Sequence, residues 1–266
     1  MPSTSFEEAL WAAGHPLVAG VDEVGRGPLA GPVYAAAVIL DPDARPGWIS
    51  ELRDSKVLTA TERERLSQAI RQEAPDFGVG WATVAEIDAW GISLANRMAM
   101  VRALQALSSR PQHVLIDGPQ RLPNYAAPQR AIIDGDALCC TIAAASIVAK
   151  VARDAVMRRL DAVYPAYGFA AHKGYATREH LEALERHGAC VEHRRSWAAV
   201  QRRGALAEVP PEFMLKDGGS APKPPLKAAL ALEDGGSAPK PPLQAAPKAS
   251  VSEIIARVAK GQPHAS

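Results

Sequence analysis

The feature of this sequence that most constrains its fold is a pair of short apolar segments joined by a glycine- and proline-rich turn. Residues 17–22 form a short apolar run that ends in an acid, and such a run is typical of a β-strand. The turn covers residues 25–32, and residues 33–40 form a nearly continuous apolar run that predicts a buried strand. We therefore predict a strand–turn–strand unit with carboxylates at its open end.

The rest of the first two hundred residues mixes strand and helix patterns. We predict strands at residues 77–84, 113–116 and 130–133, the first of them weakened by Gly78 and Gly80. Helices are predicted from a cap at Thr59 or Thr61 to about residue 73, and over residues 93–107, 142–164 and 177–187. Because the elements do not alternate strictly, the pattern favours an α/β (mixed) fold with a mixed central sheet flanked by helices.

The composition changes after about residue 206. Residues 215–229 recur at 232–246 and are rich in Pro, Gly and Ala. Two copies this short cannot bury a core, so we assign residues 1–207 to one catalytic domain and 208–249 to a low-complexity linker. Residues 250–260 are a candidate amphipathic helix that begins with a capping box at Ser250 and Glu253. This helix could dock on an unknown partner, pack on its own domain or stay frayed.

Composition excludes several classes of protein. Hydrophobic residues make up 47% of the chain, enough for a real core, and no apolar run approaches the roughly 20 residues of a membrane-spanning helix. The first ten residues lack the basic start and apolar run of a secretory signal. Three cysteines do not make a disulfide framework. We therefore expect a cytoplasmic, monomeric protein with reduced thiols and no membrane association.

Charge is distributed unevenly although the formal net charge is only +1. Residues 139–203 hold 11 Lys or Arg against 6 Asp or Glu, a local net charge of +5. Residues 1–138 hold 12 against 17, a local net charge of −5. A basic half beside an acidic half suits a polyanion held next to a carboxylate metal site, although solvated helix faces give the same count.

Asp22 and Glu23 are the first candidate metal ligands. Mg²⁺ and Mn²⁺ take oxygen ligands, and two adjacent acids after an apolar strand call for a cationic partner. Because successive side chains of a strand point to opposite faces, both acids can share a site only where the strand ends or kinks, which Gly25 and Gly27 permit. A solvated strand end remains an equally good interpretation of these two residues alone.

Asp117 and Asp136 extend the candidate site to four carboxylates. Each follows a short apolar run, as Asp22 does. Taken singly, an Asp beside Gly is more often a turn former. As a set, the four acids fit a two-metal phosphodiester site, in which one ion activates water and the other stabilises the leaving oxygen.

Other chemistry is disfavoured by spacing. The glycines at 25, 27 and 31 miss the dinucleotide-binding pattern, and no phosphate-loop Lys follows them. A zinc site at His187, Cys190 and His193 lacks a fourth ligand at a sensible spacing. Cys139 and Cys140 have no base beside them in the sequence, so a thiol nucleophile is less favoured than core packing.

The sequence resembles the bacterial ribonuclease HII (type 2 ribonuclease H) family. The resemblance starts in residues 21–32 (VDEVGRGPLAGP), and it covers about residues 15–200 in order. Further matching motifs are Asp54-Ser55-Lys56, residues 115–118 (LIDG), Gly135-Asp136, residues 144–150 (AASIVAK), residues 167–169 (YGF), residues 172–175 (HKGY) and residues 193–196 (HRRS).

The resemblance implies a ribonuclease H-like fold and a Mg²⁺- or Mn²⁺-dependent nuclease. Its substrates would be RNA–DNA hybrid duplexes and DNA that contains ribonucleotides. It would incise 5′ to a single ribonucleotide and leave 5′-phosphate and 3′-hydroxyl ends. The implied catalytic and metal-binding residues are Asp22, Glu23, Asp117 and Asp136.

The resemblance also implies substrate contacts. The Gly25-Arg26-Gly27 loop would sense the 2′-OH of the ribonucleotide, and Tyr175 would read the RNA–DNA junction from the other side. Four further residues match positions that contact the phosphate backbone, namely Ser55, Lys56, Ser146 and Lys150.

Pro119 and Asp134 depart from the family pattern, which often has Asn and Lys there, and Asp134 adds negative charge near the predicted site. The residues alone leave two other classes open: another nuclease of the same fold, such as a junction resolvase or strand-transfer enzyme, and a nucleic-acid-binding module whose acids are structural.

Overall fold

A five-stranded mixed sheet is the centre of the computed structural model, which describes residues 1–123 and 125–203. The predicted linker and tail helix lie outside the described residues. The strand order is β3-β2-β1-β4-β5. The strands are β1 (Val18–Val24), β2 (Val33–Ile39), β3 (Asp76–Ala82), β4 (His113–Asp117) and β5 (Gln129–Ile132). Strand β1 pairs antiparallel with β2 and parallel with β4, which confirms the predicted mixed sheet.

Helices cover both faces of this sheet. They are α1 (Ser5–Ala12), α2 (Ala60–Glu73), α3 (Val84–Trp90), α4 (Ile92–Gln105), α5 (Gly135–Leu138), α6 (Cys140–Val163), α7 (Phe169–His172), α8 (Arg178–His187) and α9 (Ala198–Arg203). Helix α4 packs on one face, against Val21 and Ala35, and α6 packs on the other, against Ala36 and Val38. In the described part of the chain, no helix is both long and apolar enough to cross a membrane.

Three strand glycines let the two central helices lie directly on the sheet. A Cβ at Gly20 would overlap the backbone of Thr141 in α6. A Cβ at Gly78 or Gly80 would overlap the backbone of Ala103 in α4. The glycines at 78 and 80, which weaken the strand prediction, are therefore part of the packing, since a strand Gly often marks close backbone approach.

Threonine caps decide where two helices begin. Thr59, and not Thr61, caps α2, with a capping box that Glu62 completes. Thr83 forms the same motif with Glu86 at the start of α3. The predicted strand at residues 77–84 therefore ends too late, because its last two residues cap and begin a helix that the periodicity did not indicate. Helix α1 was also not predicted.

One sequence-based interpretation of α6 is wrong. Helical spacing predicts that Arg153 shares one basic face of α6 with Lys150, Arg158 and Arg159. Arg153 has no exposed surface and donates hydrogen bonds to the carbonyls of Ala30 and Pro32. Periodicity places this residue on α6 but cannot distinguish a solvated cation from a buried one that donates to backbone carbonyls.

The contact between β3 and α4 predicts the effect of a minimal substitution. Gly80→Ala is expected to lower the free energy of unfolding by about 1–3 kcal/mol, because the new methyl group meets the backbone of Ala99 and Ala103. Urea denaturation measures this change. Gly47→Ala is the matched control, since a Cβ there has no neighbour within 4 Å. Equal stability of the two variants would contradict the close packing.

Candidate active site

Asp22 and Glu23 lie on opposite faces of β1, as the alternation of a strand requires. Asp22 points to the α6 face, where its carboxylate is hydrogen-bonded to Ser146. Glu23 points to the α4 face, where it is hydrogen-bonded to Asn96. The strand does not end at the acids, as we expected, but one residue later, since Val24 still pairs with Tyr34. Gly25 then takes a positive φ of 94° and turns the chain away from the sheet.

The two acids nevertheless converge with Asp117. Strands β1 and β4 are parallel neighbours whose last registered pair is Val21 with Ile116, so the next residues of both strands lie at the same edge. One carboxylate oxygen from each of Asp22, Glu23 and Asp117 lies within 4.8 Å of the others. The sheet thus brings together three of the four predicted acids.

Electrostatics at this cluster are unfavourable without a cation. Burial raises the pKa of Asp22 well above its usual value, and the charges of Glu23 and Asp117 raise it further. Burial also raises the pKa of Glu23, although Arg26, 3.3 Å away, opposes this shift. The pKa of Asp117 is raised by burial and by Asp136. Three oxygen donors whose ionised forms are destabilised in this way fit a hard divalent cation such as Mg²⁺ or Mn²⁺.

Asp136 lies beside the three-acid cluster and not within it. It sits in the first turn of α5, and its carboxylate is 3.5 Å from the ammonium of Lys56. The amide of Gly135 donates to the Asp117 carboxylate at 2.7 Å, which connects α5 to the cluster. Asp134 precedes α5 in the left-handed conformation with φ 54°, which Asp tolerates better than most residues. The structure therefore places Asp136 next to Asp117, with its negative charge partly balanced by Lys56.

The four predicted phosphate contacts have different environments. Ser55 and Ser146 are buried, and their hydroxyl oxygens are 3.1 Å apart. Lys56 is exposed, whereas Lys150 is half-buried and donates to Asp154 at 2.6 Å. Ser146 thus connects Asp22 with Ser55, and Lys56 is the most accessible of the four.

The glycine loop lies between the acids and Tyr175. The guanidinium of Arg26 reaches back to the Glu23 carboxylate. A Cβ at Gly27 would be 3.9 Å from the ring of Tyr175, so the loop and this ring are neighbours. Tyr175 is 42% exposed, which leaves its ring accessible to a bound duplex.

Sequence reasoning missed three residues that support the site. Asn96 hydrogen-bonds Glu23, and Arg153 and Arg194 are buried behind the glycine loop. Asn96 leaves a usable signal, because it is a polar residue four positions before Met100 on the buried face of α4. No spacing distinguishes Arg194 from its neighbour Arg195.

A chain of hydrogen bonds runs through two buried histidines to Tyr175. The amide of Cys190 donates to Nδ1 of His193, so Nε2 of His193 carries the proton. That nitrogen donates to Nε2 of His180 at 3.1 Å, and Nδ1 of His180 donates to the Tyr175 carbonyl at 2.8 Å. The two ring nitrogens of His193 therefore face separate partners, which does not suit the zinc interpretation. Burial lowers the pKa of His180 to about 4 and that of His193 to about 3.

Comparison with known proteins points to one family. The ribonuclease HII family profile matches residues 19–200. The chain is 55% identical over 201 residues to ribonuclease HII of Acidovorax sp. (strain JS42), covering 75% of this chain and 94% of that protein. It is 50% identical over 226 residues to ribonuclease HII of Anaeromyxobacter sp. (strain Fw109-5), covering 85% and 70%. The solved ribonuclease H2 of Pyrococcus horikoshii OT3 has a similar fold, with a TM-score of 0.61, 29% identity and coverage of 70% of this chain and 95% of that one.

Because the carboxylates repel one another, we expect that removing one of their charges stabilises the metal-free protein while it weakens metal binding. Asp22→Asn removes a buried charge repelled by Glu23 and Asp117, and the amide oxygen can still accept from the Glu23 amide. Thermal unfolding in EDTA should show a higher Tm, by about 2–4 °C for each kcal/mol of repulsion removed. Mg²⁺ should raise the Tm of the wild type, and the same variant should lose most of that increase. Exposed Asp43→Asn is the control and should change neither value.

The histidine chain predicts how its two rings titrate. In the unfolded chain both rings bind protons below about pH 6.5, whereas in the fold His180 stays neutral down to about pH 4. These groups therefore lower the free energy of unfolding as pH falls from 6.5 to about 4, and have no such effect above 6.5. NMR of the imidazole nitrogens should show neutral rings at pH 6, protonated on Nδ1 in His180 and on Nε2 in His193. Titration of either ring near pH 6.5 would contradict this chain.

Proposed function

The chain belongs to the ribonuclease HII family, and from that premise we propose that it incises duplex DNA 5′ to single embedded ribonucleotides. As a member of this family it is an endoribonuclease that hydrolyses the RNA strand of RNA–DNA hybrids. The finer activity would leave a 5′-phosphate on one product and a 3′-hydroxyl on the other. It would suit the removal of ribonucleotides misinserted during DNA synthesis.

The observation that carries this proposal is the contact between the acid cluster and the glycine loop. Glu23 belongs to the cluster and is also ion-paired with Arg26, so the acid cluster and the loop are in direct contact. Only the 2′-OH distinguishes RNA from DNA at a given nucleotide. Recognition of that hydroxyl beside the acids would therefore select the phosphodiester to be cut. Tyr175, close to Gly27, would stack on the sugar or base across the junction.

Asp22, Glu23 and Asp117 would hold a divalent cation, and Asp136 would complete a two-metal site together with substrate phosphate oxygens. When bound, such ions supply an activated water and neutralise the charge on the leaving oxygen. The donors are all carboxylate oxygens, which favours Mg²⁺ or Mn²⁺ over softer metals. Lys56 would release Asp136 to the metal and turn its exposed ammonium to a phosphate.

The buried residues of the site would align the acids. The Ser146 hydroxyl and the Glu23 amide both hydrogen-bond the Asp22 carboxylate, which fixes its orientation. Ser55 holds Ser146 in turn, and both would approach a phosphate of the bound strand. Lys150 would hold the same strand after exchanging Asp154 for a phosphate oxygen.

Incision of a duplex that carries one ribonucleotide tests the proposal directly. Wild-type protein with Mg²⁺ should cut 5′ to the ribonucleotide, and a matched all-DNA duplex should stay intact. Asp22→Asn should lower the cleavage rate by at least about 100-fold and keep hybrid binding in EDTA, because the removed charge serves the chemical step. Asp43→Asn is the matched control and should cut like the wild type.

Three outcomes would contradict the proposal. Binding of the ribonucleotide-containing duplex without cleavage would indicate a binding module with structural acids. Cleavage of branched all-DNA substrates in place of the ribonucleotide duplex would indicate a resolvase-like enzyme of the same fold. End labelling of the products completes the test, since a 3′-phosphate would exclude the proposed attack by water on the 5′ side.

A further inference from the structure

The turn of residues 25–32, which contains the glycine loop, is held from behind by a buried guanidinium. Arg194 has no exposed surface, and its donors bond to three backbone carbonyls of this turn. It donates to Gly25 at 2.6 Å, to Arg26 at 2.8 Å, and to Gly31 at 2.9 and 2.8 Å from two nitrogens. A single side chain therefore joins the two ends of the turn.

Arg153 acts on the same turn from α6. It donates to the carbonyls of Pro32 and Ala30 at 3.0 and 3.2 Å. Two observations explain why residue 25 is a glycine. A Cβ there would overlap the guanidinium of Arg153, and the backbone has a positive φ. The carbonyls of five residues of this turn thus point inward to two buried cations.

Inward carbonyls determine where the loop amides point. In a planar trans peptide the C=O of one residue and the N–H of the next point in opposite directions, and the described chain has no cis peptide bond. Because the carbonyls of Gly25 and Arg26 face Arg194, the amides of Arg26 and Gly27 face away from it. Within the described residues neither amide donates a hydrogen bond to another group.

Burial of Arg194 beside Arg153 is costly for stability. Burial, and next the charge of Arg153, lowers the pKa of Arg194 to about 9. No carboxylate is within ion-pairing distance of either guanidinium in the described part of the chain, so backbone carbonyls and the Trp197 ring carry the compensation. An apolar residue in place of either arginine would leave these carbonyls without donors, so the buried guanidiniums stabilise the conformation of the turn.

We propose that Arg194 is a positioning residue for ribonucleotide recognition, because it turns two adjacent loop amides towards the bound ribose and phosphate. This inference rests on the proposed function. Two successive outward amides over a buried cation form a hydrogen-bond donor pair suited to an oxygen-rich ligand such as a ribose hydroxyl with its phosphate. Lys in place of Arg194 keeps the charge but cannot reach three carbonyls in a fixed planar geometry.

The test compares Arg194→Lys with Arg195→Met. Arg195 is the adjacent, exposed residue and is the matched control. Binding in EDTA is measured for a duplex with one ribonucleotide and for the all-DNA duplex of the same sequence. Arg194→Lys should bind the two duplexes equally and keep wild-type affinity for all-DNA. Its kcat on the ribonucleotide duplex should fall by about 100-fold, as expected when the scissile phosphate is misplaced relative to unaltered acids. Arg195→Met should keep the wild-type preference and kcat.

The Tm increase produced by Mg²⁺ is the readout that a merely structural role would move. It should be the same in Arg194→Lys and in the wild type, since the acids are not altered. Loss of affinity for both duplexes together with loss of the Mg²⁺ effect would overturn the inference, because it shows a general folding defect. An unchanged preference for the ribonucleotide duplex would overturn it as well.

A second measurement needs no variant. NMR spectra of wild-type protein in EDTA should show shifts of the Arg26 and Gly27 amides on adding the ribonucleotide duplex, and smaller shifts with all-DNA. Equal shifts with both duplexes would overturn the inference. Wild-type incision in the same buffers with Mg²⁺ separates the two claims: absent incision overturns the proposed function and this inference together, whereas intact incision with either negative result overturns this inference alone.

Discussion

Repulsion among carboxylates at one edge of the sheet is the constraint on which the rest of the site depends. Strands β1 and β4 are parallel neighbours, so Asp22, Glu23 and Asp117 must lie at the same edge. Burial raises all three pKa values, and the charge of a neighbouring carboxylate raises each of them further. Glu23 and Asp117 act on Asp22, Asp117 acts on Glu23, and Asp136 acts on Asp117. This arrangement costs stability in the free protein and would become favourable with the proposed divalent cation bound. The proposed site would therefore be prepared for its ligand at the expense of the metal-free fold.

The packing of the sheet keeps this repulsion from opening the site. Helices α4 and α6 lie directly on β1 and its neighbours because glycines at 20, 78 and 80 remove the side chains between them. Each helix also supplies a hydrogen-bonding residue to one acid, Asn96 for Glu23 and Ser146 for Asp22. The same helices that form the core thus align the carboxylates.

Much of this organisation could be predicted from the sequence. Apolar runs that end in acids predicted that Asp22 and Asp117 are strand-end carboxylates. The parallel pairing of β1 and β4, which brings them to one edge, is visible only in the fold. A threonine cap at Thr59 or Thr61 predicted the start of α2, whereas Thr83 was assigned to a strand because Val84 continued the apolar run. The mixed sheet followed from elements that do not alternate strictly.

Other parts of the site depend on contacts that local patterns do not encode. Arg153 and Arg194 lie far from the glycine loop in sequence. The local sequence around a buried Arg that binds carbonyls does not differ from that around a solvated Arg. The position of Asp136 beside the cluster depends on the left-handed residue Asp134 and the short helix α5, which no periodicity indicates. Long-range hydrogen bonds such as that from His180 to Tyr175 are likewise visible only in the fold.

The three converging carboxylates are the proposed ligands of the metal that serves cleavage. A crystal structure of the wild-type protein with Mn²⁺ and a non-cleavable ribonucleotide duplex tests this assignment most directly, because Mn²⁺ is located by its anomalous scattering. We expect Mn²⁺ coordinated by oxygens of Asp22, Glu23 and Asp117 and by the phosphate 5′ to the ribonucleotide. Mn²⁺ bound elsewhere, with the duplex seated on the loop and these three carboxylates free of metal, would contradict it.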